Sequence, residues 1–273
     1  MEKIKLNINF KNLLILEKER KNAIINNGLP KRDLLSKVNI SIISKSKKMR
    51  GDARLKGDRL IHYNEKNKIS YKIELDDNNY LFGVKKFSLQ KPRARNYIHE
   101  WLFHKFADEL GIINLKYKFI NLEINGDSKG LYVLEEGFGK ELIERNNRRN
   151  GPIFGIDEDL FINQEKLGEE ELDFNNPIFE IYNKRFWQKP ENRKLLEAAS
   201  SKLINFFYDK SKIEEVFDLK LWAKYFAVID ITKNYHGSLL KSVKFYYNPI
   251  NGLFEPIPFD GHRKSPNFHK FNS

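Results

Sequence analysis

The chain contains no cysteine. Disulfide scaffolds, cysteine-ligated zinc and thiol catalysis are therefore excluded, although the absence selects no cell compartment. There is no uninterrupted apolar run of about 18 residues, so no transmembrane helix is expected. The first residues, MEKIKLNINFKNLLILEKERK, are basic with a short apolar patch. Lys11 and the stretch from Glu17 to Arg20 bound that patch, and no small-residue cleavage site follows, so it does not read as a signal peptide. The chain also lacks an arginine-rich tail, a long block of one charge, an internal repeat, a Walker A loop and a G-x-S-x-G nucleophile elbow.

What is present suits a sizeable fold. The 273 residues are enough for one large domain or for two lobes of roughly 100–150 residues each. Apolar residues make up 40% and aromatics 13%, and the aromatics are mostly 21 Phe and 12 Tyr, which favours substantial sheet. The formal net charge of +12 comes from 49 basic against 37 acidic residues. Such an excess raises local anion concentration and suits nucleotides, nucleic acid or anionic polymers. The mixed signs place a soluble basic surface ahead of nucleic-acid binding, for which net charge is the sole support.

Periodicity gives a coarse map. Ile4, Leu6, Ile8 and Phe10 alternate with polar residues and predict a strand, followed by a helix over 11–27 ending at Asn27-Gly28. Strands are expected over 38–43 and 52–60, joined by a basic turn from Lys45 to Gly51. Ile69, Tyr71, Ile73 and Leu75 share one strand face, with Ser70, Lys72 and Glu74 on the other. A short strand over 84–90 precedes a helix over 96–110, whose stripe is Ile98, Leu102, Phe106 and Leu110, with Gly111 beyond its end. A hairpin turns at Asn125-Gly126. The acidic stretch 157–175 has no sustained period and reads as a mobile loop. Helices over 191–208 and 219–230 follow, then a hairpin that turns between Asn248 and Gly252. The order is α+β rather than alternating βαβ.

Several residues could carry chemistry. Lys72 sits mid-strand on the polar face, where it could reach a phosphate or be a solvated lysine. Arg54 and Lys56 lie on one strand face before Gly57 and could grip phosphates by charge and backbone amides. Asp260 ends an apolar strand before Gly261 and suits Mg²⁺, or is a turn aspartate. His236-Gly237 follows the helix that holds Asp230; the histidine could take a hydroxyl proton or be a turn residue. His99-Glu100 with His104 evokes a zinc protease. Its histidines stand at i and i+5 rather than i and i+4, so a zinc site is discounted.

Five phrases in order, ARLKGDRL, SYKIEL, FGVKKFSLQKPRARNYIHEWLFH, INGDSKGLYVLEE and HGSLLKSVKFYYNPINGLFEPIPFD, resemble the CotH kinase family over roughly residues 38–262. The resemblance implies an atypical protein-kinase-like fold with two lobes, a strand-rich one over about 1–135 and a more helical one over 136–273. The chain ends soon after Asp260, at Phe271-Asn272-Ser273, so the larger lobe is expected to be cut short at its C-terminus. The resemblance further implies binding of ATP and Mg²⁺ and phosphorylation of Ser or Thr on a coat, envelope or exported protein. Lys72 matches the nucleotide-contacting lysine, Arg54 and Lys56 the basic strand before the phosphates, Glu136 the acid closing the hairpin between lobes, and Asp260 the metal-binding aspartate.

The chain also departs from the pattern. His236 stands where better-known members have a catalytic Asp, and Ser242 or Lys241 where they have a metal-binding Asn. Asp230, six residues earlier, substitutes for the missing acid only if the loop folds back. Two readings follow: a kinase with a variant base, and a non-catalytic module of an envelope or coat assembly.

Overall fold

Residues 1–26, 28–30, 34–57, 59–65, 67–76, 78–156, 179–239 and 242–261 are described by the computed structural model. They fall into two units, Met1–Ile98 with Lys116–Gly137, and His99–Leu115 with Phe138–Ser273.

The first unit is built from alternation. Its strands are β1 (Glu2–Ile8), β2 (Val38–Ser44), β3 (Lys47–Leu55), β4 (Tyr71–Leu75), β5 (Lys86–Gln90), β6 (Tyr117–Ile124) and β7 (Asp127–Glu136), with helix α1 (Phe10–Ile25) after the first. Every second side chain of each strand points inward, so Leu6, Ile42, Leu55, Ile73, Phe87 and Leu134 meet in one buried cluster. The order is β1-β2-β3-β4-β5-β7-β6, and β6 returns to pair in parallel with β1, from Glu2 opposite Ile120 to Leu6 opposite Ile124. The sheet is thus a closed barrel, which leaves no unpaired strand edge. Asn9 caps α1 by accepting from Asn12 N at 2.8 Å.

This architecture corrects the expected fold class. A two-lobed protein-kinase-like fold is not what these strands form: seven of them close into a barrel, and the second unit carries a separate small sheet. The physical reason lies in β1. It precedes the residues that carry the family resemblance, and its parallel pairing with β6 spans more than a hundred residues, so neither local periodicity nor the quoted phrases report the closure. A smaller correction concerns the β2–β3 hairpin. Its turn is Lys45-Ser46, both at positive φ (45° and 65°), so Lys47 to Gly51 is already strand. The two-residue turn matches the twist of the strands, but Lys-Ser lacks the Asn-Gly signature that marks such a turn. Asn125-Gly126, at φ 51° and 90°, has that signature and turns where expected.

The second unit comprises α2 (His99–Glu109), α3 (Lys140–Arg145), β8 (Ile153–Ile156), β9 (Phe179–Ile181), α4 (Lys184–Trp187), α5 (Pro190–Phe207), α6 (Ile213–Val216), α7 (Leu219–Thr232), β10 (Lys244–Tyr247) and β11 (Phe254–Ile257). Its sheet runs β11-β10-β8-β9, all antiparallel. Phe154, Phe245 and Phe254 from three of these strands pack with Ala199 and Leu203 of α5. Helix α2 packs on α7 through Phe103, Ala107, Tyr225 and Val228.

The buried face of α2 is not the predicted stripe. Glu100, Phe103, His104 and Ala107 are buried, while Ile98 is 55% and Phe106 40% exposed. Hydropathy favours apolar positions, whereas this helix buries two polar side chains whose hydrogen bonds are met from distant chain. Among the described residues no helix is long and apolar enough to cross a membrane. The acidic stretch 157–175, Asp58 and Lys241 lie outside the described residues.

Candidate functional site

The barrel carries a cationic row on its outer face. Register places Arg54 opposite Lys72, Lys72 opposite Ser88 and Ser88 opposite Glu135, on four successive strands. Directly paired residues share a face, so these side chains form one line across the sheet. Lys56 follows Arg54 at the strand end, and its ammonium turns to Glu135 Oε2 at 2.5 Å and Gln90 Oε1 at 2.9 Å. Arg95 Nε donates to Glu135 Oε1 at 2.9 Å. The Glu135 side chain is 2% exposed, so its charge is tolerated because two cations are bonded to it. Lys56 and Arg95 thus flank Glu135 in a row that also carries Arg54 and Lys72.

Gly57 is required where it stands. Its φ is +109°, and a Cβ there would come within 2.2 Å of the His62 ring. That ring is buried against Ser70 Oγ at 3.1 Å. Glu136, next to Glu135 but pointing to the other face, accepts from Lys116 N at 2.8 Å through Oε2 and so ties β7 to the residue preceding β6.

The second unit holds a separate cluster around His236 and Asp260. A short 3-10 turn, Tyr235–Ser238, follows α7 and presents His236, which is 2% exposed. Tyr225 of α7 fixes that turn by donating to Gly237 O at 2.6 Å. Burial, together with the nearby Glu100 charge, pushes the Tyr225 hydroxyl well above its usual range. His236 Nδ1 lies 2.6 Å from Asp260 O and 3.5 Å from Asp260 Oδ2. A carbonyl oxygen only accepts, so Nδ1 carries the proton, and Nε2 is the basic nitrogen of the neutral ring. Ser242 Oγ lies 3.1 Å from the same Nδ1.

Asp260 itself has φ +56°, in the left-handed region. Its N–H donates to Glu100 Oε1 at 2.8 Å, and the N–H of Gly261 donates to Glu100 Oε2 at 2.9 Å. A Cβ on Gly261 would meet the Phe103 ring at 2.7 Å, so glycine allows this turn to lie on α2.

Of the residues singled out in sequence, the second unit brings His236, Asp260 and Ser242 together, while Asp230 lies exposed on α7. The barrel aligns Arg54, Lys72 and Lys56 on one face and turns Glu136 to the other. Glu135 and Arg95, which join the row, escaped sequence reading, and Glu100, read there only beside His99 and His104, holds the Asp260 turn. A buried-acid signal existed for Glu100, which stands four residues before His104 on the helix face shared with Phe103 and Ala107.

A divalent cation can be tested against these donors. Among the described residues no group of three or more His, Asp or Glu could enclose a metal. Asp260, with a side chain 20% exposed, is a single hard oxygen donor. Such a site fits Mg²⁺ that is held in part by phosphate oxygens, and does not fit a cation caged by protein alone.

Comparison with known proteins bears on this arrangement. The chain is similar to the inner spore coat protein H of Bacillus subtilis (strain 168), with 24% identity over 157 residues, 57% of this chain and 42% of that protein. The match therefore spans about two fifths of that relative's length. The family model described as CotH kinase protein matches residues 49–263, most of the chain, and covers both the barrel's cationic row and the His236–Asp260 cluster; the chain belongs to the CotH family.

Proposed function

We propose that the chain transfers a phosphoryl group from ATP to Ser or Thr hydroxyls of a coat, envelope or exported protein. The observation that supports this most is the pairing of His236 with Asp260 in a chain of the CotH family: a histidine with a fixed tautomer stands beside a carboxylate suited to a phosphate-bound metal. Arg54 and Lys72, with Lys56 and Arg95 held by Glu135, would give the barrel a face suited to phosphate. Asp260 would hold Mg²⁺, which would offset phosphate charge. His236 would take the proton of the acceptor hydroxyl on Nε2. The bond from the γ-phosphorus to the ADP oxygen breaks as the bond to the acceptor oxygen forms. Phosphoryl transfer depends mainly on positioning and charge, so a histidine in place of an aspartate is compatible with it.

A second reading is a non-catalytic coat or envelope module. The burial of His236, 2% exposed, favours it, because a base must reach its substrate. Calorimetry of ATP binding with and without Mg²⁺, followed by mass spectrometry of candidate acceptors, separates the two. Mg²⁺-dependent binding with a phosphorylated product that disappears in Asp260→Asn supports transfer. Metal-independent binding, or none, with no product supports the module.

A further inference from the structure

Glu100 is fully buried and ionisable, and the roles proposed above do not use it. A carboxylate removed from water needs donors. Its donors are two consecutive backbone amides that lie 160 and 161 residues away in sequence, those of Asp260 and Gly261. A third group faces it: His104 Nε2, one helical turn on, is 3.6 Å from Oε1. Leu115 N–H donates to His104 Nδ1 at 3.3 Å, which puts the imidazole proton on Nε2, toward Glu100.

Asp260 sits at φ +56°. Aspartate tolerates that region better than most L-residues, and its surroundings can hold it there. The two amide bonds to Glu100 and the seat of Gly261 on Phe103 impose it here. The consequence reaches His236, because the left-handed turn points the Asp260 carbonyl oxygen at Nδ1, 2.6 Å away.

We infer that Glu100 is the positioning residue of the His236–Asp260 pair: by clamping the Asp260–Gly261 amides it fixes the turn that holds His236 in its Nδ1–H tautomer, with Nε2 as the basic nitrogen. The functional weight of this assignment rests on the reading of His236 as the base; its geometry does not. A purely structural glutamate would support the fold without setting the protonation pattern of a ring it does not touch.

The test is long-range proton–nitrogen correlation NMR on the full chain labelled in histidine, with His236 assigned from the spectrum of His236→Gln. The parent should show His236 with its proton on Nδ1, by about tenfold or more over the other tautomer. In Glu100→Gln one amide loses its acceptor and faces an N–H, so the tautomers should approach equal populations. Hydrogen exchange of the Asp260 and Gly261 amides should accelerate by about tenfold or more in the same variant. If Glu100→Gln does not fold, Glu100→Asp keeps the charge and shortens the reach, and should release at least one of the two amides. An Nε2–H tautomer in the parent overturns the inference. So does a folded variant with the parent's tautomer and amide protection. Neither readout uses nucleotide, so failure here leaves phosphoryl transfer standing, and a chain that binds no ATP leaves the clamp standing.

Discussion

Asp260 meets His236 through its backbone carbonyl oxygen, at 2.6 Å from Nδ1, while its carboxylate oxygen stays 3.5 Å away and partly open to solvent. Backbone and side chain of one residue therefore have separable roles, and substitutions can tell them apart. Asparagine tolerates the left-handed conformation. Asp260→Asn should keep the turn and the His236 contact, with a stability change within about 0.5 kcal/mol, and should lose Mg²⁺-dependent ATP binding. Asp260→Val is disfavoured at φ +56° and should also lower the melting temperature. Calorimetric binding and thermal unfolding of both variants check this. Equal Mg²⁺ dependence in parent and Asp260→Asn would remove the carboxylate from the metal role.

His236 acts later in the proposed reaction. His236→Ala should leave ATP affinity unchanged and lower product formation by roughly 10²–10⁴-fold, the range for removal of a general base. Single-turnover assays with a fixed acceptor measure the second quantity. Loss of nucleotide affinity in step with activity would instead make His236 part of the binding surface.

How far the sequence reached depends on whether a feature is local. A strand reads in sequence at each of the seven barrel positions, by alternation for β1 and β4, although β3 begins five residues earlier than that reading puts it. The closing pair β1–β6 could not be read this way, since nothing in Ile4 or Leu6 names a partner at Leu122 or Ile124. The α2 face failed for a different reason. Its buried positions include Glu100 and His104, whose burial is made tolerable by the amides of Asp260, Gly261 and Leu115. Hydropathy has no access to such partners. His236 and Asp260, each before a Gly, became candidates through the family resemblance, whereas Glu135 and Arg95 meet through side chains forty residues apart in sequence.

The cationic row yields contrasting predictions for Lys72 and Glu135. Lys72 is a half-buried strand residue in that row, and Lys72→Ala should weaken ATP binding with little effect on melting temperature. Glu135 is different, because its removal leaves Lys56 and Arg95 without the carboxylate to which both are bonded. Breaking a buried ion pair from one side costs about 3–5 kcal/mol. The Lys56 side chain retains 16% exposure, which puts Glu135→Ala toward the lower end of that range. Urea unfolding curves measure it; a loss below about 1 kcal/mol would mean that the row is solvated like an ordinary surface.

Alkaline pH should unfold the protein cooperatively, and four tyrosines set the window. Burial pushes the hydroxyls of Tyr71, Tyr132, Tyr225 and Tyr246 far above their ordinary value. Nearby negative charge adds to the effect: Glu17 for Tyr71, Glu65 for Tyr132, Glu100 for Tyr225 and Glu255 for Tyr246. These groups are neutral when protonated, so the folded state withholds ionisation that the unfolded chain allows above about pH 10. Their contribution is complete below that pH and is lost as pH rises from there toward the folded values. Each tyrosine removes about 1.4 kcal/mol by pH 11, so the two in each unit remove about 3 kcal/mol from it, a large part of the stability of many domains. Tyrosinate absorbance and far-ultraviolet circular dichroism should then change together, with these four ionising only as the fold is lost. Full ionisation of all 12 tyrosines with the circular dichroism intact would contradict the buried placement of these four.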